Sequence, residues 1–494
     1  MSHAADRPRW PTTLWLALAG GRADGMRIGL TALGAAGAAV ALLVAASVAV
    51  IGPNDGPYPY EVLTQPGLRP GVVVVMLLLC VPILVFVGLC TRVGAPARDR
   101  RLAAIRMAGA TPAEVRRVVW VETGLSAGLG SLVGGAAWLV AGAVVQPSPQ
   151  VVRTYSTDGG GVIFSELVTA PAYPLPVDVA VPWWLLVLCL ALVPAGATLS
   201  ARVAMHRVGL SPFGVVRHEQ ARPPSLAPAV MVLVGVVGLA AWTPIAAALG
   251  VGLEEGLGGY AAGSLVLFVV TLVGLVFGAA SMAALLGRLV APRTGSPALL
   301  IATRRLVAAP FTASRAAAAV TFAVLLGAAV QGTRVNFLLQ TSAADTFYAD
   351  TFDLLDGVLA LGIVIAAAGL LVITAEGIVT RRRTLAGLTA AGAPRRTLAA
   401  AVVLETVLPL VPTVLLAATA GLLAARGFFG SSTRVYDSSG IAGDPEARMV
   451  GVPVPWVELG TLAGGTIAVV LVVTASALIF LRRSTNISEV RAAA

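Results

Sequence analysis

The chain has 494 residues, 57% of them hydrophobic and only 12% charged, with a mean hydropathy of +0.89. Soluble proteins carry about 25% charged residues, so a water-soluble enzyme, a disordered chain and a secreted disulfide scaffold are excluded and the chain belongs in a lipid bilayer. Its net charge of +10 comes from 34 basic residues, every one an arginine, and without lysine there is neither a P-loop amine for ATP phosphates nor a Schiff-base nucleophile.

The three cysteines, Cys80, Cys90 and Cys189, lie in apolar stretches, and His3, His206 and His218 are scattered. Neither set has the spacing of a disulfide framework or a metal site. No catalytic residue, cofactor, metal ion or nucleic-acid partner is therefore assigned.

In chain order, a cytoplasmic leader (1–27) carries an amphipathic elbow with Trp10, Leu14, Trp15 and Leu18 on one face. Runs of about 20 apolar residues then predict ten membrane spans: 28–51, 71–91, 118–145, 182–201, 226–251, 261–287, 311–331, 354–379, 399–425 and 456–481. A second elbow precedes the seventh span, with Leu299, Thr303, Leu306 and Val307 on one face and Arg304 and Arg305 turned away, and both elbows are expected to lie in the cytoplasmic headgroup layer. The fold class is all-α, a polytopic membrane protein. Arginine accumulates in cytoplasmic loops, and the split of 28 on one side to 6 on the other puts both termini in the cytoplasm.

An internal repeat organises these spans. Residues 100–123 align without gaps to 383–406 at an offset of 283, with nine identities that include Arg100/Arg383, Leu102/Leu385, Gly109/Gly392, Glu122/Glu405 and Thr123/Thr406. The same offset carries Leu16, Ala19 and Arg22 onto Leu299, Ala302 and Arg305. Two parallel four-helix repeats, 28–205 and 298–483 with its elbow, are thus joined by a linker with a two-helix insert (206–297), and 484–494 forms a cytoplasmic tail.

In the repeated element a short helix stops at Gly109. Thr111, Pro112 and Glu114 then supply an N-cap, a first-turn proline and a capping-box acid for the third span. The second copy keeps the stop at Gly392 but has Pro394 and Thr397 at the capping positions, so its cap is weaker. Each half gains a short cytoplasmic helix attached to a transmembrane rod: a lever. Glu122 and Glu405 lie a turn or two inside their spans, where a lone charge is costly. With Thr123 and Thr406 they read as lever-to-bundle polar positions, or else as interfacial acids paired with an arginine such as Arg116 or Arg117.

Gly124, Gly128, Gly130 and Gly134, and Gly274 with Gly278, have the spacing of close helix contacts within one chain. Pro82, Pro194, Pro244, Pro409 and Pro412 kink their spans. The outer segments near 146–181 and 426–455 read as an aromatic belt with flexible turns around Gly159, Gly160 and Gly161, and a lipid- or peptide-recognition surface is the other reading.

The arginine-rich segment R-L-A-x-I-R-x-x-G-A before the third span, the V-x-x-x-E-T beyond it and the duplicated layout resemble the FtsX-like permease family of ABC transporters, in its ten-span form. The resemblance implies that the levers dock on a separate cytoplasmic ATPase subunit, itself a dimer. It implies docking residues Arg100, Arg101, Leu102, Ile105, Arg106, Met107 and Gly109, with Arg383, Leu385, Leu388 and Gly392 in the second half. The resemblance also implies the bacterial plasma membrane as location, membrane lipid around the chain, and a lipid, peptide or drug as the substrate class. Two other functions fit a multi-span protein. An ion-coupled secondary transporter would need charges in the middle of its spans, where this chain has none. A non-transporting complex that controls a cell-wall hydrolase would need an outer surface for it.

Overall fold

The computed structural model describes residues 22–52, 55–64, 69–90, 103–158, 162–206, 227–250, 257–340, 347–436 and 447–484. The chain divides into two compact units, Met1–His218 and Glu219–Ala494. Among the described residues nine helices are long and apolar enough to cross a membrane, or ten where a bent pair is counted as one span.

Unit 1 contains α1 (Arg22–Val50), α2 (Arg69–Cys90), α3 (Pro112–Val144) and α4 (Trp183–His206), with a hairpin of β1 (Ser148–Asp158) and β2 (Val162–Ala172) between the last two. Small residues let α1 and α3 approach closely. A Cβ added at Gly134 would stand 2.5 Å from the Ala36 carbonyl oxygen, and one at Gly130 would overlap the Ala32 backbone. These glycines serve packing inside the chain, as their spacing predicts. Ser131 adds a polar tie, donating to the Leu190 carbonyl of α4 at 2.9 Å.

At the far end of these helices Tyr58, 2% exposed, donates to Asp178 at 2.9 Å, and the Gly56 N–H reaches the same carboxylate at 3.0 Å. The loop after α1 is thereby fixed to the segment before α4. Burial first, and then the Asp178 carboxylate, push the Tyr58 phenol well above its ordinary value.

Unit 2 opens with the insert: α5 (Ala227–Ala240), α6 (Trp242–Ala248) and α7 (Leu257–Val290). The span predicted over 226–251 is broken, and α5 and α6 meet at 71°. Pro244 explains the position of the break. It offers no N–H to Ala240 and its ring collides with that carbonyl, so the helix fails four residues before the proline. The elbow α8 (Pro297–Ala308) comes next, then α9 (Pro310–Leu338), α10 (Phe347–Thr380), the short α11 (Arg382–Ala390), α12 (Arg395–Phe429) and α13 (Trp456–Ser484), with a hairpin of β3 (Ser432–Tyr436) and β4 (Ala447–Gly451) before α13.

The hairpins differ from the flexible turns expected. Ser148 pairs with Ala172 and the antiparallel register continues to Asp158 with Val162, so eleven residues are matched on each strand. At about 3.3 Å per residue this ribbon is more than 30 Å long. Each unit places its hairpin in the same interval, after the third helix of the repeat. Gly159, Gly160 and Gly161 lie outside the described residues.

Candidate functional site

Each lever ends in the same hydrogen-bond pattern. Residues 103–107 are helical; the Gly109 N–H donates to Arg106 O at 2.9 Å and the Ala110 N–H to Ile105 O at 3.2 Å. In α11 the Gly392 N–H donates to Thr389 O at 3.0 Å and the Ala393 N–H to Leu388 O at 2.9 Å. This pair of bonds, closing over a residue with positive φ, is the Schellman stop. Gly109 has φ of 102° and Gly392 of 91°, values an L side chain reaches only under strain. All four donor and acceptor pairs match at the offset of 283 residues.

Beyond the stop the two halves differ. Thr111 accepts from the Glu114 N–H at 3.3 Å while the Glu114 carboxylate accepts from the Thr111 N–H at 2.7 Å, completing the capping box predicted for α3. At α12 the N-cap is Pro394 and no side chain caps the helix. Its first turn rests instead on the Pro394 carbonyl, which accepts from the Thr397 N–H at 3.0 Å.

Apolar contacts hold each lever to its rod. Ile105 and Ala110 pack on buried Val115 and Val119 of α3. In unit 2, Leu385 is 6% exposed and packs with Ile378 of α10, Leu398 and Val402 of α12 and Ala477 of α13. Val115 and Val119 stand at the repeat positions of Leu398 and Val402. Among the predicted docking residues, Leu385 is therefore an inward anchor. Met107, 78% exposed, and Leu388, 36% exposed, point away from the core. Arg383, Gly109 and Gly392 are exposed, and Ile105 and Arg106 are half-buried. Arg100, Arg101 and Leu102 lie outside the described residues, as does the elbow with Trp10 and Trp15.

Both repeat glutamates are buried and ion-paired. Glu122, 4% exposed, binds the Arg27 guanidinium of α1, whose side chain is equally buried. Arg116 and Arg117, the neighbours suggested by sequence, are exposed. They sit on the wrong side of α3, six and five residues from an acid that faces α1. Glu405, 9% exposed, accepts from Arg305 of the elbow at 3.1 Å and from Arg381, the residue that opens the lever, at 3.1 to 3.3 Å. Arg305 is thus turned inward rather than away, and Thr303 and Leu306 of the same elbow are buried against the protein. Burial pushes the Arg305 guanidinium below its ordinary value; Glu405 opposes that shift and Arg381 adds to it.

Thr123 and Thr406 bond back to their own helices, at Val119 O (2.9 Å) and Val402 O (3.4 Å), and do not touch the glutamates. Beside this site in unit 1, Arg202 of α4 lies 4.8 Å over the Trp120 ring, a cation–π contact between the lever ends of α3 and α4. Sequence reasoning misses Arg27 because its repeat partner is Pro310, so no recurrence marks it. Arg305 and Arg381 do carry a signal: Arg22 and Arg98 occupy the corresponding positions in the first half.

The family profile described as FtsX-like permease C-terminal matches this chain twice, over residues 70–208 and 357–488. Comparison with curated proteins and with solved structures gives no match.

Proposed function

Because the chain belongs to the FtsX-like permease family, whose profile covers more than half of it, we propose that it is the membrane-spanning permease subunit of an ABC-type transporter. It works in export or mechanotransmission, and a separate dimeric cytoplasmic ATPase drives it. The chain performs no catalysis itself. Its levers face the cytoplasm, as the arginine distribution implies, and the bacterial plasma membrane is the location proposed for it. A lipid, peptide or drug is the substrate class.

One observation supports this reading above the others: the duplicated Schellman stop, which fixes a short helix at a set angle to a long rod in each half. α3 has 33 residues and α12 has 35, about 50 Å at 1.5 Å per residue. The hydrocarbon core is about 30 Å thick. Each rod therefore has length to spare at its lever end, and a push on the lever moves the whole rod. The docking surface consists of the exposed lever positions Met107, Arg383 and Leu388 with half-buried Arg106, and the sequence adds Arg100 and Arg101. Leu385 serves it by anchoring the lever.

The test combines labelling with function. All three native cysteines are buried, so Met107→Cys and Leu388→Cys are readable with an impermeant maleimide. Both are expected to react only from the inside and to be protected by the ATPase. Met107→Asp with Leu388→Asp is expected to separate ATP hydrolysis from transport while the protein stays folded. Labelling from outside the cell, or unaltered coupling in the double variant, overturns the assignment.

A further inference from the structure

At the hairpin end of unit 2, α9 and α10 share a polar cluster whose hydrogen bonding is incomplete. Gln331 is 7% exposed, and its Nε2 donates to Asp356 Oδ1 at 2.6 Å. Arg334 donates through Nη1 to Asp356 Oδ2 at 2.9 Å and through Nη2 to Asp353 Oδ1 at 3.0 Å. A carboxylate only accepts, so the contact with Asp356 fixes which end of the Gln331 amide faces it. The amide oxygen is turned elsewhere, and this buried Oε1 has no hydrogen-bond partner among the described residues. A buried acceptor left unmatched is costly.

The surroundings define what would match it. Two carboxylates and one guanidinium leave the cluster one negative charge in excess. Asp353 is open, its side chain 66% exposed, whereas that of Asp356 is 34% exposed. Beyond the cluster, Phe337 stacks on Tyr348 with centroids 5.0 Å apart and meets Phe429 edge-on at 5.3 Å, and aromatic faces attract cations. Deeper along α10, Leu361 and Val364 are exposed, 51% and 55%, and their helical spacing puts them on the Asp353 face.

We propose that this cluster binds the primary ammonium group of an amphiphile entering from the bilayer leaflet at the hairpin end. The ammonium carries the missing N–H donor and the missing positive charge, and the apolar tail lies along Leu361 and Val364. Asp353 receives the group first. A rotation of the Gln331 side chain then brings its oxygen onto the ligand, since that atom is closed to solvent in this state. An aminophospholipid headgroup and a free cationic amphiphile share this chemistry. The inference stands on unit 2 alone and is tested without any ATPase, so its failure leaves the permease reading untouched.

The full chain, purified in an uncharged maltoside detergent, is heated with dodecylammonium, dodecyltrimethylammonium or dodecanol, and the shift in thermal midpoint is titrated. Dodecylammonium is expected to act at concentrations about tenfold lower than the quaternary analogue, which has no N–H, and dodecanol to have no specific effect. Gln331→Met keeps the side-chain length, and Asp353→Asn changes an exposed group while Arg334 keeps Asp356. Each is expected to require about tenfold more dodecylammonium, the loss of one charge-assisted contact. In nanodiscs, phosphatidylethanolamine that blunts the response relative to phosphatidylcholine identifies the headgroup as the occupant. An equal response in both lipids identifies the free amphiphile. Equal shifts with all three probes, or unaltered titrations in both variants, overturn the proposal.

Discussion

Replacing Glu122 by Leu removes the acid from a pair in which both side chains are 4% exposed. Two unit charges about 4 Å apart attract by about 4 kcal/mol at an effective dielectric constant of about 20. The larger effect is what remains: Arg27 keeps its charge in a site closed to water. Losing one member of a buried pair costs about 3–5 kcal/mol, whereas exchanging both for apolar residues is often neutral or stabilising. For a domain of roughly 150–250 residues each kcal/mol moves the thermal midpoint by about 2–4 °C, and unit 1 spans Met1–His218. Glu122→Leu and Arg27→Leu are therefore each expected to lower the midpoint by roughly 10 °C, and the double variant to recover most of that loss. The assay is gel filtration of detergent-solubilised protein after stepped heating, with intrinsic fluorescence as the second readout. Single variants within about 2 °C of the parent, or a double variant no more stable than the singles, would refute the pairing.

Glu405→Gln is expected to cost less, about 1–3 kcal/mol, because Arg305 and Arg381 are 29% and 25% exposed and water takes up part of the loss; the same heating assay decides it. Gly109→Ala and Gly392→Ala meet no atom within 4 Å, so each should cost only the strain of a left-handed backbone, about 1–2 kcal/mol. A steric effect would exceed that. Thr111→Ala should cost about 1 kcal/mol by removing the cap, and Pro394→Ala, where no side-chain cap exists, should fall below half of it. The raised Tyr58 phenol sets a direction with pH: its contribution is complete below the unfolded value of 10.0 and is lost as pH climbs above it through the folded value. Tyr58→Phe should flatten that alkaline decline in a series of thermal midpoints.

Much of this architecture is legible in the sequence because its causes are local or repeated. Span positions come from apolar run length. The stops at Gly109 and Gly392, and the unequal caps at Thr111 and Pro394, come from short-range chemistry that tertiary packing does not override. The break in the fifth span is readable in part, since Pro244 marks a disruption but not its size. The hairpins escape a reading by apolar runs, although β1 and β2 flank three glycines with mixed β-branched and polar residues, a pattern of paired strands. Aromatic residues there pass for membrane anchors instead. The partners of Glu122 and Glu405 cannot be chosen from sequence, because a helix rotates its residues by about 100° each and only packing decides which arginine shares the buried face. Leu385 shows the same gap: its identity with Leu102 marks a shared role, and packing identifies that role in α11 as anchoring.

Among the described residues the acid of each ion pair repeats while its base comes from a different place, and helix length gives the reason. Glu122 lies ten residues into α3 and Glu405 ten into α12, about 15 Å from the lever ends. Counting about 20 residues back from Val144 and Phe429 for the hydrocarbon core leaves both glutamates at its edge. A carboxylate there is tolerable only with a cation beside it. In the first half the cation comes from α1 through Arg27. The corresponding position in the second half is Pro310, the first residue of α9, which has no charge to give. Arg305 reaches in from the preceding elbow, and Arg381 from the start of the lever. The second glutamate therefore ties rod, elbow and lever together, and a displacement of α11 about Arg381 must stretch a half-buried charge contact. The glutamate is fixed by the depth at which the rod leaves the membrane, while any neighbouring segment able to deliver a guanidinium to that depth satisfies it.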